Sequence, residues 1–309
     1  MNEIRKDYIL ERYVLIAEKR DLRPNDFKSK EMLKPSATDY FAPGNENLTP
    51  EEIGRVGSKN AWSIRWFANK FAAMESEAFE KKTKTFLQSQ PAFGYHEIIV
   101  ETPHKTKQLW DLPQTSINTL LGVFQDRMSQ LQKKKHIKYV QIFKNQGKDG
   151  GTSLIHAHTQ VVALTEVPPS IKEKIQAIKK HRMPYQKILK KELQSERIAF
   201  QTRYFIAICP FASQFNFEIW LFPKKEYYSL LDMPDPIIND LAIAMKRILA
   251  KLRLLNCSYN FYLNYDPSKT MLFHLSFTPR IAHFAGFELG TGIIINSVSP
   301  EKAAAFYRK

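Results

Sequence analysis

The segment 145–160, NQGKDGGTSLIHAHTQ, is the most informative part of the sequence for chemistry. Its end is predicted to open a strand, and alternate residues of a strand share one face. His156, His158 and Gln160 are therefore expected to point the same way. A neutral imidazole can attack phosphorus, while an amide and the backbone N–H groups of a glycine-containing loop can stabilise negative charge. The segment predicts nucleophilic chemistry on a phosphate or another oxyanion.

The spacing of His156 and His158 fits other arrangements equally well. Two histidines can be buried in a core with their hydrogen bonds satisfied, and they can also serve as a pair of metal ligands. The two residues alone leave all three interpretations open.

The elements around this segment form a pattern that occurs twice. In the first half we predict a strand, a helix and two strands, over 96–102, 114–135, 139–143 and 159–164. In the second half the same order is predicted over 217–222, 235–255, 259–263 and 273–277. A repeat of this length predicts duplication of one α+β unit. Residues 28–60, rich in Pro, Gly, Asn and charge, are predicted to be loop and linker.

The composition is that of a globular protein with excess positive charge. Hydrophobic residues make up 43% and charged residues 25%, which excludes a disordered chain. Lys and Arg number 46 against 31 Asp and Glu, so the formal net charge is +15. This excess favours an anionic partner: a nucleic acid, a membrane surface or a small phosphate compound.

The lysine-rich segment 171–197 is predicted to be a solvated connecting helix, because only Tyr185 could supply the aromatic stacking of a nucleic-acid surface.

Several protein classes are excluded by what the sequence lacks. No run approaches the ~20 apolar residues that span a bilayer, and the first residues lack the apolar core of a signal peptide. Cys209 and Cys257 are the two cysteines and form no CxxC pair, so a reduced, cytoplasmic location is expected. The sequence contains neither GxxxxGK[ST] nor GxGxxG, which argues against P-loop and Rossmann chemistry.

The nucleophilic segment resembles a known motif. Asn145, then Gly151-Thr152-Ser153-x-x-His156-x-His158-x-Gln160, is similar to the nucleophile motif of galactose-1-phosphate uridylyltransferases, the transferase branch of the histidine-triad (HIT) superfamily. The similarity extends nearly end to end. It includes IRKD (4–7), RDLRPNDF (20–27), PGNENLTPEEI (43–53), WFANKFAAM (66–74), GYHEIIVETP (94–103), PFASQFNFEIWLFPK (210–224) and AGFELGTG (285–292).

The resemblance implies an α+β fold of two tandem HIT-like units, each an antiparallel sheet with a packed helix. Residues 1–168 would form the N-terminal unit with the nucleophile motif, 169–200 a basic connector and 201–309 the C-terminal unit. A homodimer is also implied.

The resemblance further implies ping-pong nucleotidyl transfer. His158 would attack the α-phosphate of a nucleotide-sugar, Gln160 would hold the phosphate oxygens, and His156 would shape the loop. Residues implied at the nucleotide and its phosphates are Arg20, Arg23, Asn69, Asn145, Gly151 and Ser153. Phe287 and Glu288 would contact the sugar or the acceptor.

The family's structural zinc is not expected here. Its cysteine positions hold Asp39 and Ala42, and its first histidine position holds Lys105, beside His104. Only His156 keeps its place, whereas a zinc site normally needs three or four ligands. No other cofactor is expected. Ala157 replaces the family's usual proline, so the turn before the nucleophile is less rigid.

The function implied first is transfer of a nucleoside monophosphate from a nucleotide-sugar to a sugar 1-phosphate, through a covalent nucleotidyl-histidine. One alternative is an adenylyl-transferring phosphorylase of ADP-sugars or dinucleoside polyphosphates. Another is a nucleotide-binding regulator that lost catalysis. The expected partners are a nucleotide-sugar and a sugar phosphate or phosphate, with neither membrane nor nucleic acid.

Overall fold

A computed structural model describes residues 2–19, 38–77 and 86–309. Within these ranges the strands are β1 (Glu3–Lys6), β2 (Tyr13–Ile16), β3 (Glu52–Ser58), β4 (Ala61–Ala68), β5 (Gly94–Val100), β6 (Tyr139–Gln146), β7 (His158–Leu164), β8 (Ile198–Gln201), β9 (Phe205–Ile208), β10 (Ile219–Pro223), β11 (Tyr259–Asn264), β12 (His274–Pro279) and β13 (Ile294–Asn296). The α-helices are α1 (Gln114–Gln132), α2 (Pro169–His181), α3 (Tyr185–Glu192), α4 (Asp235–Leu255), α5 (Gly286–Thr291) and α6 (Pro300–Arg308).

Ten of these strands form one antiparallel sheet in the order β3-β4-β5-β7-β6-β11-β12-β10-β9-β8. β1, β2 and β13 form a separate three-stranded sheet. Helices α1 and α4 share the main hydrophobic core with strands from both halves of the large sheet. The α+β prediction, with antiparallel sheets and packed helices, is confirmed.

The two halves of the large sheet have the same internal order. The first half pairs its strands as β5-β7-β6 and the second as β10-β12-β11, and β6 lies beside β11 where the halves meet. The two predicted strand–helix–strand–strand series are thus found in sequence order. The unit boundaries after residues 168 and 200 stay a prediction.

The two long helices follow from apolar periodicity. The predicted apolar positions of α1 are buried: Ile117, Leu120, Leu121, Phe124, Met128 and Leu131. Helix α4 begins and ends at the predicted residues, with Pro236 in its first turn and Asn256 in the left-handed conformation that terminates it.

Two predictions about irregular segments are wrong. β3 lies inside the stretch predicted to be loop: it is an edge strand that contains two glycines and buries no residue, so it lacks the apolar alternation of a typical strand. The connector is two helices rather than one, because Arg182 adopts a left-handed conformation and Pro184 follows. One of its lysines also points inward: Lys174 Nζ donates to Asn264 Oδ1 at 3.0 Å, and burial lowers the pKa of Lys174 to about 8.

None of the helices in the described ranges is long and apolar enough to cross a membrane.

Helix α1 is tied to β5 by a buried ion pair. Arg127 donates two hydrogen bonds to the Glu97 carboxylate, Nε to Oε2 and Nη2 to Oε1, both at 2.9 Å. Both residues are buried, so each charge depends on the other for the interactions it loses with water.

Removing one partner of this pair should destabilise the protein strongly. We expect Arg127→Met to lower the free energy of unfolding by about 3 kcal/mol or more, because Glu97 would remain buried and unpaired. Lys138→Met, which breaks an exposed pair with Glu166, is the matched control and should change little. Urea denaturation at neutral pH measures both, and equal effects would contradict the assignment.

Candidate functional site

His158 is the first residue of β7, and its ring is anchored through one nitrogen. Nδ1 lies 2.8 Å from the backbone carbonyl oxygen of His156, which can only accept, so Nδ1 carries the proton. No described residue forms a hydrogen bond with Nε2, which in this tautomer carries a lone pair. The geometry therefore presents Nε2 as a nucleophile.

The surroundings keep this imidazole neutral. Burial lowers the pKa of His158 to about 4, and the nearby Lys144 ammonium acts in the same direction. A neutral ring is the form that can attack an electrophile, so the nucleophile is available at neutral pH without a separate base.

A buried ion pair lies behind His158. Lys144 Nζ contacts both Glu101 oxygens, at 3.0 and 2.9 Å, and also donates to the carbonyl oxygen of His158 at 3.0 Å. Thr159 Oγ1 donates to Glu101 Oε1 at 2.6 Å. Lys144 and Glu101 are fully shielded from solvent. This network holds the backbone of His158 in place.

His156 lies just before β7 and is held on both sides of its ring. Nδ1 is 2.9 Å from Asp39 Oδ2, and Nε2 is 2.7 Å from the carbonyl oxygen of Thr102. A carboxylate and a carbonyl are both acceptors, so His156 is held through both ring nitrogens, between Asp39 and Thr102. These contacts hold in place the residue whose carbonyl oxygen accepts the hydrogen bond from His158 Nδ1.

Gln160 and Asn69 both contact His96, a residue to which the sequence analysis assigned no role. His96 Nε2 lies 2.9 Å from Gln160 Oε1 and 3.2 Å from Asn69 Nδ2, and His96 Nδ1 lies 3.2 Å from the backbone nitrogen of Ala73. His96 sits on β5, where Ile98 is the direct partner of Gln160, so His96 is its diagonal neighbour on the same face. The sequence shows only that His96 is a polar residue in a strand rich in β-branched residues. Its contact with Gln160 becomes evident once the pairing of β5 with β7 is known.

Hydrogen bonds from β11, in the second half of the chain, hold the loop between β6 and β7 in place. Asn260 Nδ2, on β11, donates to Asn145 Oδ1 at 2.8 Å and to the carbonyl oxygen of Gly150 at 2.7 Å. The Asn145 amide oxygen is thereby occupied and its NH2 group is left to donate. Gly151 has φ +84°, a conformation that favours glycine. Ser153 is exposed and makes no hydrogen bond with a described residue.

The roles predicted for four further residues are not tested by these contacts. Arg20 and Arg23 lie outside the described residues. Phe287 and Glu288 belong to the short helix α5, which buries no residue, and Glu288 Oε2 accepts from the backbone N–H of Ala285 at 3.0 Å. Just before α5, His283 Nε2 lies 3.6 Å from Oδ1 of Asp149, a residue of the loop between β6 and β7. The roles predicted for Phe287 and Glu288 stay predictions.

The residues at the implied zinc position do not fit a metal ion. Both ring nitrogens of His156 already form hydrogen bonds, and His104 is exposed. Across the part of the chain that the structure describes, no group of three or more His, Cys, Asp or Glu side chains could hold a metal. The contact between Asp39 and His156 occupies this place instead, and no step of the chemistry is derived through a metal.

The comparisons with known proteins agree on one family. The family model described as galactose-1-phosphate uridyl transferase, N-terminal domain, matches residues 1–168. The ADP-glucose phosphorylase of Arabidopsis thaliana is 30% identical over 325 residues, covering 99% of this chain and 92% of that protein. The galactose-1-phosphate uridylyltransferase of Thermotoga maritima is 26% identical over 331 residues, covering 100% and 98%. The crystal structure of an ADP-glucose phosphorylase from Arabidopsis thaliana with bound ADP-glucose has a TM-score of 0.87 and 28% identity, covering 100% of this chain and 99% of that one.

The protonation of His158 can be measured directly. We expect NMR titration of its ring to show a neutral imidazole down to about pH 5, since an unperturbed histidine titrates near pH 6.5 and burial lowers the pKa of His158 to about 4. The signal is assigned as the one that disappears in His158→Gln. A midpoint at or above the ordinary value would contradict the site geometry.

Proposed function

Because the chain belongs to the galactose-1-phosphate uridylyltransferase family and is a nucleotidyltransferase, we propose that it transfers a nucleoside monophosphate from a nucleotide-sugar through a covalent intermediate on His158. The observation that carries this proposal is the hydrogen bond from His158 Nδ1 to the His156 carbonyl. It leaves a neutral Nε2 with its lone pair available for attack.

In the first step, the Nε2 lone pair forms a bond to the α-phosphorus of the nucleotide-sugar. The bond from phosphorus to the bridging oxygen breaks, and the sugar 1-phosphate leaves with that electron pair. The ring then carries a positive charge, which the Nδ1–H hydrogen bond to the His156 carbonyl oxygen stabilises. In the second step, an acceptor oxygen forms a bond to the same phosphorus while the bond from phosphorus to Nε2 breaks. Its electron pair returns to the ring, which becomes neutral again.

Donors around His158 stabilise the charge that develops on the phosphate oxygens. The NH2 groups of Gln160 and Asn145 are left free by the contacts to their amide oxygens. Backbone N–H groups of the loop at Gly151, together with Ser153, would supply further donors. On the strength of the family resemblance, we assign Arg20, Arg23 and Asn69 to the nucleotide, and Phe287 and Glu288 to the sugar or acceptor.

We favour adenylyl transfer from an ADP-sugar to inorganic phosphate, which yields ADP and a sugar 1-phosphate. The ADP-glucose phosphorylase matches this chain with higher identity than the Thermotoga maritima uridylyltransferase does, and its structure superimposes closely. Uridylyl transfer to a sugar 1-phosphate is the second candidate, since several relatives bear the uridylyltransferase name. The His158 geometry argues against a regulator without catalysis.

The covalent step predicts exchange without an acceptor. Wild-type protein given ADP-glucose and labelled glucose 1-phosphate, with no phosphate, should move label into ADP-glucose, because the first step is reversible. His158→Gln should lose this exchange by at least about 1,000-fold, since the nucleophile is removed. His181→Gln changes an exposed histidine at the end of α2 and should exchange normally. Exchange that needs phosphate, or that persists in His158→Gln, would rule out the intermediate.

The two candidate reactions predict opposite substrate preferences. We expect kcat/KM for ADP-glucose with phosphate to exceed that for UDP-glucose with galactose 1-phosphate by at least about tenfold, because differential binding of the base and acceptor sets the preference. Coupled assays of glucose 1-phosphate release, with each donor tested against each acceptor, measure this ratio. The reverse order would establish the second candidate, and tight nucleotide binding without turnover would support the regulator.

A further inference from the structure

A chain of two hydrogen bonds runs through His96 to the phosphate side of the site. The backbone N–H of Ala73 donates to His96 Nδ1 at 3.2 Å, so this nitrogen accepts. In a neutral ring the proton is then on Nε2, which donates to Gln160 Oε1 at 2.9 Å. The backbone donor at Nδ1 sets this direction. The Asn69 NH2 group, whose oxygen accepts from the backbone N–H of Phe71, lies 3.2 Å from the same Nε2 and finds no acceptor there, so the shorter contact to Gln160 is the hydrogen bond.

This direction decides which end of the Gln160 amide faces the nucleotide. A glutamine amide has a donating NH2 group and an accepting oxygen, and rotation about its last bond exchanges them. With the oxygen held by His96, the NH2 group is left to donate. In the opposite orientation the amide oxygen would face the phosphate oxygens, and two acceptors would repel each other.

We propose that His96 is a positioning residue: it holds the Gln160 amide with its NH2 group directed at the phosphate of the bound nucleotide. The inference rests on the proposed function, because Gln160 then contacts the group that is transferred. His96 itself touches no reacting atom and acts through Gln160.

The surroundings of His96 suit this role. The side chain is half-buried on β5, and burial lowers its pKa, which favours the neutral ring that the two bonds require. The backbone N–H of Asn69 donates to the His96 carbonyl at 2.7 Å, so the segment that supplies the Ala73 donor is fastened to the same strand. The ring is therefore held by the fold before any ligand binds.

A double-mutant cycle on the exchange reaction tests the coupling. We expect His96→Leu to lower kcat by about tenfold, corresponding to the loss of one hydrogen bond that acts on the transferred group, with KM changed less than about twofold. In the Gln160→Ala background the same substitution should have no further effect, because the residue it acts through is gone. His96→Gln, which keeps a donor near the Nε2 position, should recover most of the rate.

Two controls separate positioning from folding and from the function itself. Tyr95→Leu changes the neighbouring residue on the opposite face of β5 and should leave kcat unchanged. Nitrogen-15 NMR of the wild-type His96 ring should show the proton on Nε2, a result that does not depend on turnover. Equal rate losses in both backgrounds, no recovery in His96→Gln, or a proton on Nδ1 would each overturn the inference. Absence of exchange in wild-type protein, with the proton on Nε2, would instead overturn the proposed function.

Discussion

The rest of the site depends on the hydrogen bond from His158 Nδ1 to the His156 carbonyl. It fixes the tautomer, leaves Nε2 with the lone pair that the proposed attack requires, and would stabilise the positive charge that the ring gains on nucleotidylation. Two sets of contacts hold its two ends. The His156 ring is clamped between Asp39 and Thr102, while the backbone of His158 is held by the buried Lys144 ammonium. The acceptor and the donor are thus fixed independently.

The second half of the sheet contains a counterpart of this bond. His274 begins β12 as His158 begins β7, and its Nδ1 lies 3.1 Å from the carbonyl oxygen two residues earlier. The His274 ring is fully buried against Tyr185, Phe222 and Trp220, and its Nε2 has no hydrogen-bond partner among the described residues. Burial holds its pKa well below the ordinary value. The repeated strand order carries the contact twice, and the His158 copy retains 7% of its surface exposed whereas the His274 copy retains none.

The sequence alone was sufficient for the elements with strong periodicity, whereas the nucleophilic role that it indicated for His158 stays a prediction. Helix α4 and the strands around His158 follow from local patterns of apolar and β-branched residues. The residues that contact His158, His156 and Gln160 cannot be identified from such local patterns. Asp39, Lys144 and His96 reach it across strands or loops, and strand register is not readable from one sequence. β3 was not predicted as a strand because an edge strand that buries no residue has no apolar alternation.

The proposed mechanism requires a covalent bond between His158 Nε2 and the nucleotide. Mass spectrometry of protein quenched at alkaline pH after mixing with ADP-glucose, followed by peptide mapping, tests it most directly. We expect a peptide containing His158 to gain the mass of one adenylyl group and to lose it on mild acid treatment, as a phosphoramidate does. The modification should be absent from His158→Gln. Unmodified protein under conditions of rapid turnover, or a modification on another residue, would contradict the claim.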